Sequence, residues 1–358
     1  MRDRSVSWKS ALERAVWGKR LLAEEAVALF GAPLALLVAA ADHACRRLHP
    51  EPVRTFVIDR NINYSNICIS GCRFCAFFRP PRHAEGYLLS QDQILEKVEE
   101  AVAVGATQIL MQGGLHPELP LEWFEETLRA IKARFPITIH SLSAPEVVHL
   151  SRISDLTFRD TLARLQAAGL DSLPGGGAEI LCDDIRSALS PRKCTVEEWC
   201  GVMREAHALG MRATATMVFG HIETPAHRVR HLLRVRELQD ETVVFTAFIP
   251  WTFQPANTAL GGKAAGPHDY LRTLAISRLA LDNIANLQAS WVTQGEKIGQ
   301  LTLAFGANDL GSTMIEENVV RAAGVEFRLS ADELAALIRG AGFTPARRDT
   351  QYRILETV

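Results

Sequence analysis

The sequence predicts an α/β fold, a (β/α)8 TIM-type barrel preceded by a helical extension. Its 358 residues exceed the ~100–200 residues of a usual domain but suit one such barrel. From about residue 55, apolar stretches typical of buried parallel strands alternate with amphipathic helical stretches. Glycines and polar residues gather after each candidate strand, where the active sites of these barrels lie. An incomplete six-stranded barrel with an irregular C-terminal part is the alternative.

Composition excludes several classes of protein. Apolar residues make up 47% and charged residues 22% of the chain, which is ordinary for a globular protein and excludes a disordered chain, a collagen and a coiled coil. Lys and Arg number 39 against 41 Asp and Glu, so no basic excess indicates a nucleic-acid partner. Seven cysteines in a chain of this length fit a reducing cytoplasm better than a disulfide scaffold.

The N-terminal segment contains the one apolar run that could suggest a membrane segment, at residues 26–41. The run is shorter than the ~20 residues of a spanning helix, and Gly31 and Pro33 interrupt it. Glu24 and Glu25 precede it, unlike the start of a signal peptide. We therefore expect two short packed helices and no membrane span. The predicted organisation is an extension over residues 1–50, a barrel over 51–325, and a C-terminal helix and tail packed on the barrel over 326–358.

The barrel elements follow in order along the chain. Capping boxes predict where several helices begin: Ser90 with Gln93, Thr157 with Asp160, Thr195 with Glu198, and Ser330 with Glu333. The candidate strands span residues 55–62, 107–112, 137–141, 170–173, 212–219, 243–249, 288–292 and, more weakly, 305–309.

Unusual residues follow these strands one after another. Because the carboxyl ends of barrel strands meet at one face, we expect a polar mouth with backbone close to ligands. Its candidate residues are Gln112, Gly113 and Gly114; His140 and Ser143; the triple glycine 175–177 with Glu179; His221 and Glu223; Trp251 and Gln254; Trp291; and Asn308 and Asp309.

A cysteine motif gives the sharpest indication of chemistry. Cys68, Cys72 and Cys75 lie on one short loop after the first strand. Structural zinc normally needs a fourth ligand from a second paired element, and the sequence has no second CxxC. An iron–sulfur cluster is held by thiolates, and three thiolates leave one iron of a four-iron cluster open to a ligand. Zinc and three merely buried cysteines remain as alternatives.

The motif Cys68-x3-Cys72-x2-Cys75, with Phe74 before the last cysteine, resembles that of the radical S-adenosylmethionine (SAM) enzymes. The resemblance implies a 4Fe–4S cluster whose open iron binds SAM, and cleavage of SAM to a 5′-deoxyadenosyl radical. It also implies a SAM-binding role for Phe74, for Gln112 to Gly114, and for Ser143, Glu179 and Lys193. The competing interpretations are loop packing, a strand-to-helix turn, a helix-terminal acid and a solvated basic turn.

Further blocks, including DSLPGGGAEIL, FTAFIPWTFQP and QASWVTQG, are similar to the futalosine-pathway cyclases of menaquinone biosynthesis. The resemblance implies abstraction of ribose H-4′ from dehypoxanthine futalosine, closure onto the benzoate ring, and an external reductant such as flavodoxin or ferredoxin. The sister enzymes, aminofutalosine synthase and the FO synthase subunits, remain alternatives, as does a non-catalytic iron–sulfur or zinc protein.

Candidate substrate ligands lie at the mouth, where each has a plain structural alternative such as core packing or a turn. His221, then Glu223, is the expected base for the ring proton. The substrate set is His140, Trp251, Gln254, Trp291, Asn308 and Asp309.

Overall fold

The protein was analysed as a computed structural model, which describes residues 6–358; residues 1–5 of the predicted extension lie outside that range. Parallel strands alternate with helices along the chain. The strands are β1 (Val53–Val57), β2 (Asp59–Ile62), β3 (Gln108–Met111), β4 (Thr138–Ser141), β5 (Ser172–Leu173), β6 (Arg212–Phe219), β7 (Phe245–Thr252), β8 (Asn286–Leu287), β9 (Asp309–Ser312), β10 (Thr344–Arg348) and β11 (Ile354–Thr357).

Helices cover the outside of the strands. Ser90, Thr195 and Ser330 form the predicted capping boxes, and the Thr157 hydroxyl accepts a hydrogen bond from the Asp160 amide. The helices are α1 (Trp8–Val16), α2 (Ala23–Ala28), α3 (Leu34–Leu48), α4 (Gln91–Ala103), α5 (Leu121–Arg134), α6 (Ala144–Ile153), α7 (Phe158–Ala168), α8 (Asp183–Leu189), α9 (Val196–Ala208), α10 (Pro225–Thr242), α11 (Pro267–Ala280), α12 (Trp291–Gln294), α13 (Glu296–Thr302), α14 (Val319–Ala322) and α15 (Ala331–Gly340).

The strands close into a barrel. A seven-stranded parallel sheet runs in sequence order from β2 to β8. A bridge between Gln288 and Asp309 joins it to β9, and β9 pairs in parallel with β1. Since Ile58 alone separates β1 from β2, these two strands act as one long first strand and complete the ring. The predicted α/β barrel class is thereby confirmed.

The N-terminal segment folds as short helices, as expected. A 3₁₀ turn at Leu29–Gly31 separates α2 from α3, and α3 packs against α11 on the outside of the barrel. Within residues 6–358, none of the helices combines the length and apolarity needed to cross a bilayer.

The last strands differ from the sequence expectation. Candidate strand 288–292 is wrong, because β8 covers Asn286–Leu287 and Trp291 begins α12. The indole of Trp291 donates to the Ser312 carbonyl at 3.2 Å, so tertiary contacts override the strand preference of this aromatic and β-branched run. The eighth strand begins at Asp309, where the candidate 305–309 ends.

The C-terminal segment is part of the sheet. β10 pairs in parallel with β1, with Val53 opposite Thr344, and β11 pairs antiparallel with β10. The expectation of a helix and tail packed on the barrel therefore missed two strands. Their sequence is charged and lacks the apolar run that marks the other strands. The boundaries of the three predicted segments stay a prediction.

Candidate functional site

The barrel encloses a cavity of about 390 Å³, and alternate residues of the strands face it. Side chains of a strand point to opposite faces in turn, so positions two apart share the inner face. The inward residues are Val57, Asp59, Asn61 and Asn63 of the first strand; Gln108, Leu110 and Gln112 around β3; Thr214, Thr216 and Val218 of β6; and Ile249, Trp251 and Phe253 around β7. Polar and apolar side chains both line the cavity, and the polar ones mark the interior as a binding site, because the inward positions of a packed barrel are normally apolar.

The three motif cysteines line the upper part of this cavity as free thiols. The Leu115 and Ser70 amides donate to the Cys68 sulfur at 3.2 and 3.4 Å. The Ser70 hydroxyl lies 3.0 Å from the Cys72 sulfur. Such donors stabilise thiolate sulfur in iron–sulfur proteins. Burial raises the pKa of the Cys75 thiol to about 11, so ligation there releases a proton.

The chemistry of Cys68, Cys72 and Cys75 suits an iron–sulfur cluster, because the three free thiols lie on one loop and backbone amides donate hydrogen bonds to the Cys68 sulfur. Within residues 6–358 no three His, Cys, Asp or Glu side chains form a group able to hold a single metal ion. The remaining cysteines are buried away from the cavity: Cys45, Cys182, Cys194 and Cys200.

The glycine pair after β3 packs against the start of the cysteine loop. A Cβ on Gly114 would lie 2.2 Å from the Ile67 carbonyl oxygen and 2.7 Å from Cys68. A Cβ on Gly113 would lie 2.5 Å from the Tyr64 ring. Real side chains do not approach so closely, so both positions require glycine. The pair thus fixes the height of the cysteine loop above the barrel.

Glu146 ties the neighbouring elements together, although sequence reasoning did not single it out. One carboxylate oxygen accepts hydrogen bonds from the Tyr64 hydroxyl at 2.7 Å and the Gly113 amide at 3.0 Å. The other accepts from the Ser143 amide and hydroxyl at 2.7 and 2.5 Å. Ser143 is the N-cap of α6, and its partner three residues later marks a capping box. That S-x-x-E pattern is the signal that could have identified Glu146.

Glu179 and Lys193 form a buried ion pair beside the cavity. Burial alone would raise the pKa of Glu179, but the charge and hydrogen bond of Lys193 bring it below its usual value. The Lys193 ammonium also lies 5.5 Å from the centre of the Phe74 ring. Gly175 passes so close to β6 that a Cβ there would lie 2.6 Å from the Thr214 carbonyl oxygen. The triple glycine therefore lets backbone and Glu179 reach the cavity wall.

Comparison with known proteins identifies the family. Residues 62–235 match the radical SAM superfamily, and residues 242–358 match the CofH/MqnC C-terminal region. The chain is 50% identical to cyclic dehypoxanthine futalosine synthase of Halalkalibacterium halodurans, over 98% of this chain and 96% of that protein. The chain belongs to the radical SAM superfamily. Membership makes it a radical SAM enzyme and implies a 4Fe–4S cluster and SAM as cofactors.

One further sequence relative and one solved structure are similar to this radical SAM enzyme. The 5-amino-6-(D-ribitylamino)uracil–L-tyrosine 4-hydroxyphenyl transferase 1 of Methanosarcina mazei is 41% identical over 96% of this chain and 92% of that protein. The crystal structure of methylornithine synthase superposes with a TM-score of 0.75 and 18% identity, covering 94% of this chain and 97% of that chain. The latter likeness supports the fold alone.

Among the predicted substrate ligands, the structure brings His140, Trp251 and Gln254 to the cavity. The His140 Nδ1 lies 2.7 Å from the Ser172 hydroxyl. Burial, with the positive charge of Arg348, lowers the pKa of His140 to about 3. His140 is thus a neutral imidazole, and its two ring nitrogens comprise one donor and one acceptor.

Trp291, Asn308 and Asp309 are not brought to the cavity lining. Asn308 accepts from the Arg278 guanidinium at 2.9 Å and the Leu287 amide at 2.8 Å. Asp309 is fully buried and accepts two hydrogen bonds from Arg348, at 2.6 and 3.0 Å. All three side chains hold the barrel together, so the prediction that they bind substrate is not supported by their positions.

His221 and Glu223 also lie off the cavity lining, with side chains 0% and 1% exposed. Glu223 accepts from the Gly220 and His221 amides at 2.7 and 2.9 Å and pairs with Arg228 at 2.8 Å. Burial would raise the pKa of Glu223, but the His221 hydrogen bond and these contacts hold it well below its usual range. The pair organises the turn before α10. Backbone amides next to a helix start have no partner within the helix, and Glu223 accepts hydrogen bonds from two of the amides in this turn. Neither group lines the cavity, and their role as the base for the ring proton stays a prediction.

Sequence reasoning missed a second group of polar residues that line the cavity. Its residues belong to the inner face of the barrel and to the C-terminal segment. They are Asp59, Asn61, Gln108, Thr214, Thr216, Gln288, Ser312, Glu317, Arg348, Thr350 and Tyr352. The available signal was the alternation of Asp59, Asn61 and Asn63 on the first strand, because inward positions of a packed barrel are normally apolar. The C-terminal residues carried no comparable signal.

Proposed function

We propose that this radical SAM enzyme converts dehypoxanthine futalosine to cyclic dehypoxanthine futalosine. The observation that carries the proposal is the 50% identity to the Halalkalibacterium halodurans enzyme over nearly the whole of both chains. A buried cavity with both polar and apolar walls supports it, because a substrate with a ribose and an aromatic acid needs both kinds of surface.

Cys68, Cys72 and Cys75 are proposed to hold the cluster, since all three face the cavity from one loop. A 4Fe–4S cluster with SAM bound there would supply a 5′-deoxyadenosyl radical. Glu179 is proposed to accept hydrogen bonds from the SAM ribose hydroxyls, with Lys193 keeping it ionised. Phe74 lies against the same ammonium and is proposed to pack on the adenine. Gln112, Gly113, Gly114 and Ser143 are proposed to shape the SAM site; Gly113 and Ser143 are oriented by Glu146.

The chain's own part in the reaction is positioning and exclusion of water. Trp251 lines the cavity and is proposed to pack on the benzoate ring, with Gln254 beside it. Abstraction of H-4′ and closure onto the ring remove two hydrogen atoms from the substrate in all. One leaves in 5′-deoxyadenosine, and the other leaves the ring as a proton together with one electron. That electron balances the one that the reductant supplies for cleavage of SAM, so the overall reaction needs no net electron. An enclosed site keeps the intervening carbon radicals away from stray hydrogen donors.

The direct test is anaerobic incubation of the reconstituted protein with SAM, dithionite and dehypoxanthine futalosine. We expect a product lighter than the substrate by two hydrogen atoms, formed with equal amounts of 5′-deoxyadenosine. Deuterium placed at ribose C4′ should appear in the 5′-deoxyadenosine. Productive turnover that leaves the 5′-deoxyadenosine unlabelled would refute abstraction at C4′.

The second candidate function is transfer of the 4-hydroxyphenyl group of tyrosine to 5-amino-6-(D-ribitylamino)uracil. The Methanosarcina mazei relative of that name favours it, at 41% identity over 96% of the chain. The same reconstituted protein is therefore incubated with tyrosine and the ribitylaminouracil. Turnover of this pair in place of dehypoxanthine futalosine would decide for the transferase.

A further inference from the structure

Asp59 is a buried carboxyl that faces the cavity, and it forms no ion pair with any residue of the described range 6–358. The residue is 3% exposed and lines the cavity wall. The Arg348 guanidinium, whose positive charge acts on Asp59, is paired with Asp309 at 2.6 Å. Burying a carboxyl without a cationic partner costs stability. The Asp59 carboxyl nevertheless lies on the inner face of the barrel, which points to a ligand that forms hydrogen bonds with it.

The partners of Asp59 leave room for a ligand. The Ser312 hydroxyl donates to one carboxyl oxygen, and the Gln108 amide nitrogen donates to the other at 2.7 Å. A carboxylate can accept about four hydrogen bonds, so each oxygen has capacity for one more donor. The Thr350 hydroxyl donates to the other end of the Gln108 amide at 2.6 Å, which fixes the amide's orientation. The carboxyl is therefore held in place and incompletely satisfied.

The position of Asp59 separates it from the proposed SAM residues. Asp59 begins β2, opposite Gln108, and Asn63 follows the end of that strand. Four residues of strand span about 13 Å, and the cysteine loop begins beyond Asn63. Val57 and Asp59 are the deepest cavity-lining residues of the first strand and belong to the floor of the cavity, whereas Cys68 and its partners lie at the mouth.

Charge and polarity at the floor select the class of ligand. Asp59 lines this cavity, and the nearby cation, the Arg348 guanidinium, is already paired with Asp309. A carboxylate or phosphate placed there would be desolvated beside a carboxyl group, with no unpaired cation among the described residues of the floor to stabilise its charge. Neutral hydroxyls are the better fit, because each can donate to a carboxyl oxygen and accept from an amide.

We infer that Asp59 binds the hydroxyl groups of the substrate's sugar-derived part and anchors it at the barrel floor. Gln108 and Ser312 act as positioning residues that aim the carboxyl. The inference rests on the proposed function, whose substrate carries a ribose, and it places the benzoate at the opposite, aromatic wall near Trp251. The ribityl chain of the second candidate substrate belongs to the same chemical class.

The test compares dehypoxanthine futalosine with its 2′-deoxy and 3′-deoxy analogues, using wild-type protein, Asp59→Asn and Glu317→Gln. Wild type should lose about tenfold or more in kcat/KM on at least one analogue, as expected for a hydrogen bond to a charged group. In Asp59→Asn that loss should shrink to less than about threefold, while the KM for the full substrate rises about tenfold. Iron content and SAM cleavage without substrate should match wild type.

Glu317→Gln is the matched control, because it removes a buried cavity carboxyl whose oxygens already accept from the Val319 and Val320 amides and from Asn61. It should keep the wild-type discrimination against the deoxy analogues. The inference would be overturned if wild type and Asp59→Asn discriminated equally against the deoxy analogues. It would also be overturned if Asp59→Asn and Glu317→Gln lost this discrimination equally. If Asp59→Asn does not retain iron, Asp59→Ser replaces it. Wild type that accepts both deoxy analogues as well as the full substrate overturns the inference without any variant.

Failure of the proposed function gives a different result. If wild type turns over the ribitylaminouracil and tyrosine instead, the cyclase proposal fails. The same Asp59→Asn variant should then raise the KM for the ribitylaminouracil about tenfold, and an unchanged KM would overturn the inference. Turnover of neither substrate overturns both proposals.

Discussion

Single residues in the barrel interior show how burial sets their chemistry. Glu179 is ionised beside Lys193, whereas burial raises the pKa of Asp59 despite its two hydrogen bonds. In the sequence, Glu179 and Asp59 are both simply acidic residues, and nothing local predicts that their pKa values shift in opposite directions. The difference comes from partners that lie far away in the chain, so it becomes visible only once the barrel is closed.

The cysteine assignment is tested by iron binding. Cys72→Ala should reduce the iron content after anaerobic reconstitution to below about a tenth of wild type, because a thiolate ligand is lost. Cys200→Ala is the control, since Cys200 is buried in α9 and does not line the cavity. Iron analysis and the visible spectrum measure both variants. Normal iron in Cys72→Ala would exclude Cys72 as a ligand.

His140 predicts a pH dependence of stability. Its pKa is about 3 in the folded protein and about 6.5 in an unfolded chain, so the unfolded state binds more protons below about pH 6.5. Stability should therefore fall as the pH falls, with His140 contributing up to about 1.4 kcal/mol per pH unit. Urea unfolding at pH 7 and pH 5 measures this. In His140→Gln the difference between the two pH values should be smaller, and an unchanged difference would contradict the buried neutral state.

Among the helices and strands, the sequence predicted those that are marked by a local residue pattern. The strands β2, β3, β4 and β6 follow their candidates within a few residues, because apolar runs and capping boxes are local signals. β8 and β10 escaped prediction for a physical reason. The aromatic and β-branched run that suggested a strand at 288–292 forms α12 instead, just after β8. The charged β10 is a strand because β1 offers it an edge. For the site, the cysteines, Glu179 and Lys193 were found at the cavity, whereas His221 and Asp309 satisfy partners that the sequence does not reveal.

The contact between the glycine pair and the cysteine loop gives a prediction at this scale. Gly114→Ala should displace the loop, because the added Cβ meets the Ile67 carbonyl oxygen at 2.2 Å. Overpacking of this kind costs about 1–3 kcal/mol, and reconstituted iron should fall with it. Gly31→Ala is the control, since no atom of residues 6–358 lies within 4 Å of the position that its Cβ would take. Thermal unfolding and iron analysis compare them, and equal behaviour of the two variants would contradict the role given to Gly114.

At the scale of the whole molecule, the C-terminal segment extends the first strand's sheet and covers one end of the barrel interior. β10 lies against β1, and Arg348 at its end reaches the barrel interior. The guanidinium pairs with buried Asp309 and lies 3.8 Å from the centre of the Tyr352 ring. Residues 348–352 thereby close the floor beneath the substrate cavity.

Arg348→Ala should lower the free energy of unfolding by about 3–5 kcal/mol, because it leaves the Asp309 carboxylate buried without its partner. Arg353→Ala removes an exposed ion pair with Asp349 and should change stability by less than about 1 kcal/mol. Chemical denaturation of the two full-length variants provides the measurement. Similar small losses in both would show that the barrel floor does not depend on Arg348.

The pairing of Val53 with Thr344 also has a consequence for biosynthesis. The ribosome releases β10 long after β1, because most of the barrel lies between them in the sequence. During that part of synthesis, one edge of the first strand lacks its final partner. Contacts between such distant parts of a chain slow folding, and an unpaired strand edge invites association with other chains. Nascent chains should therefore depend on chaperones until β10 emerges, and truncated mRNAs that end before β10 should yield aggregates rather than smaller enzymes.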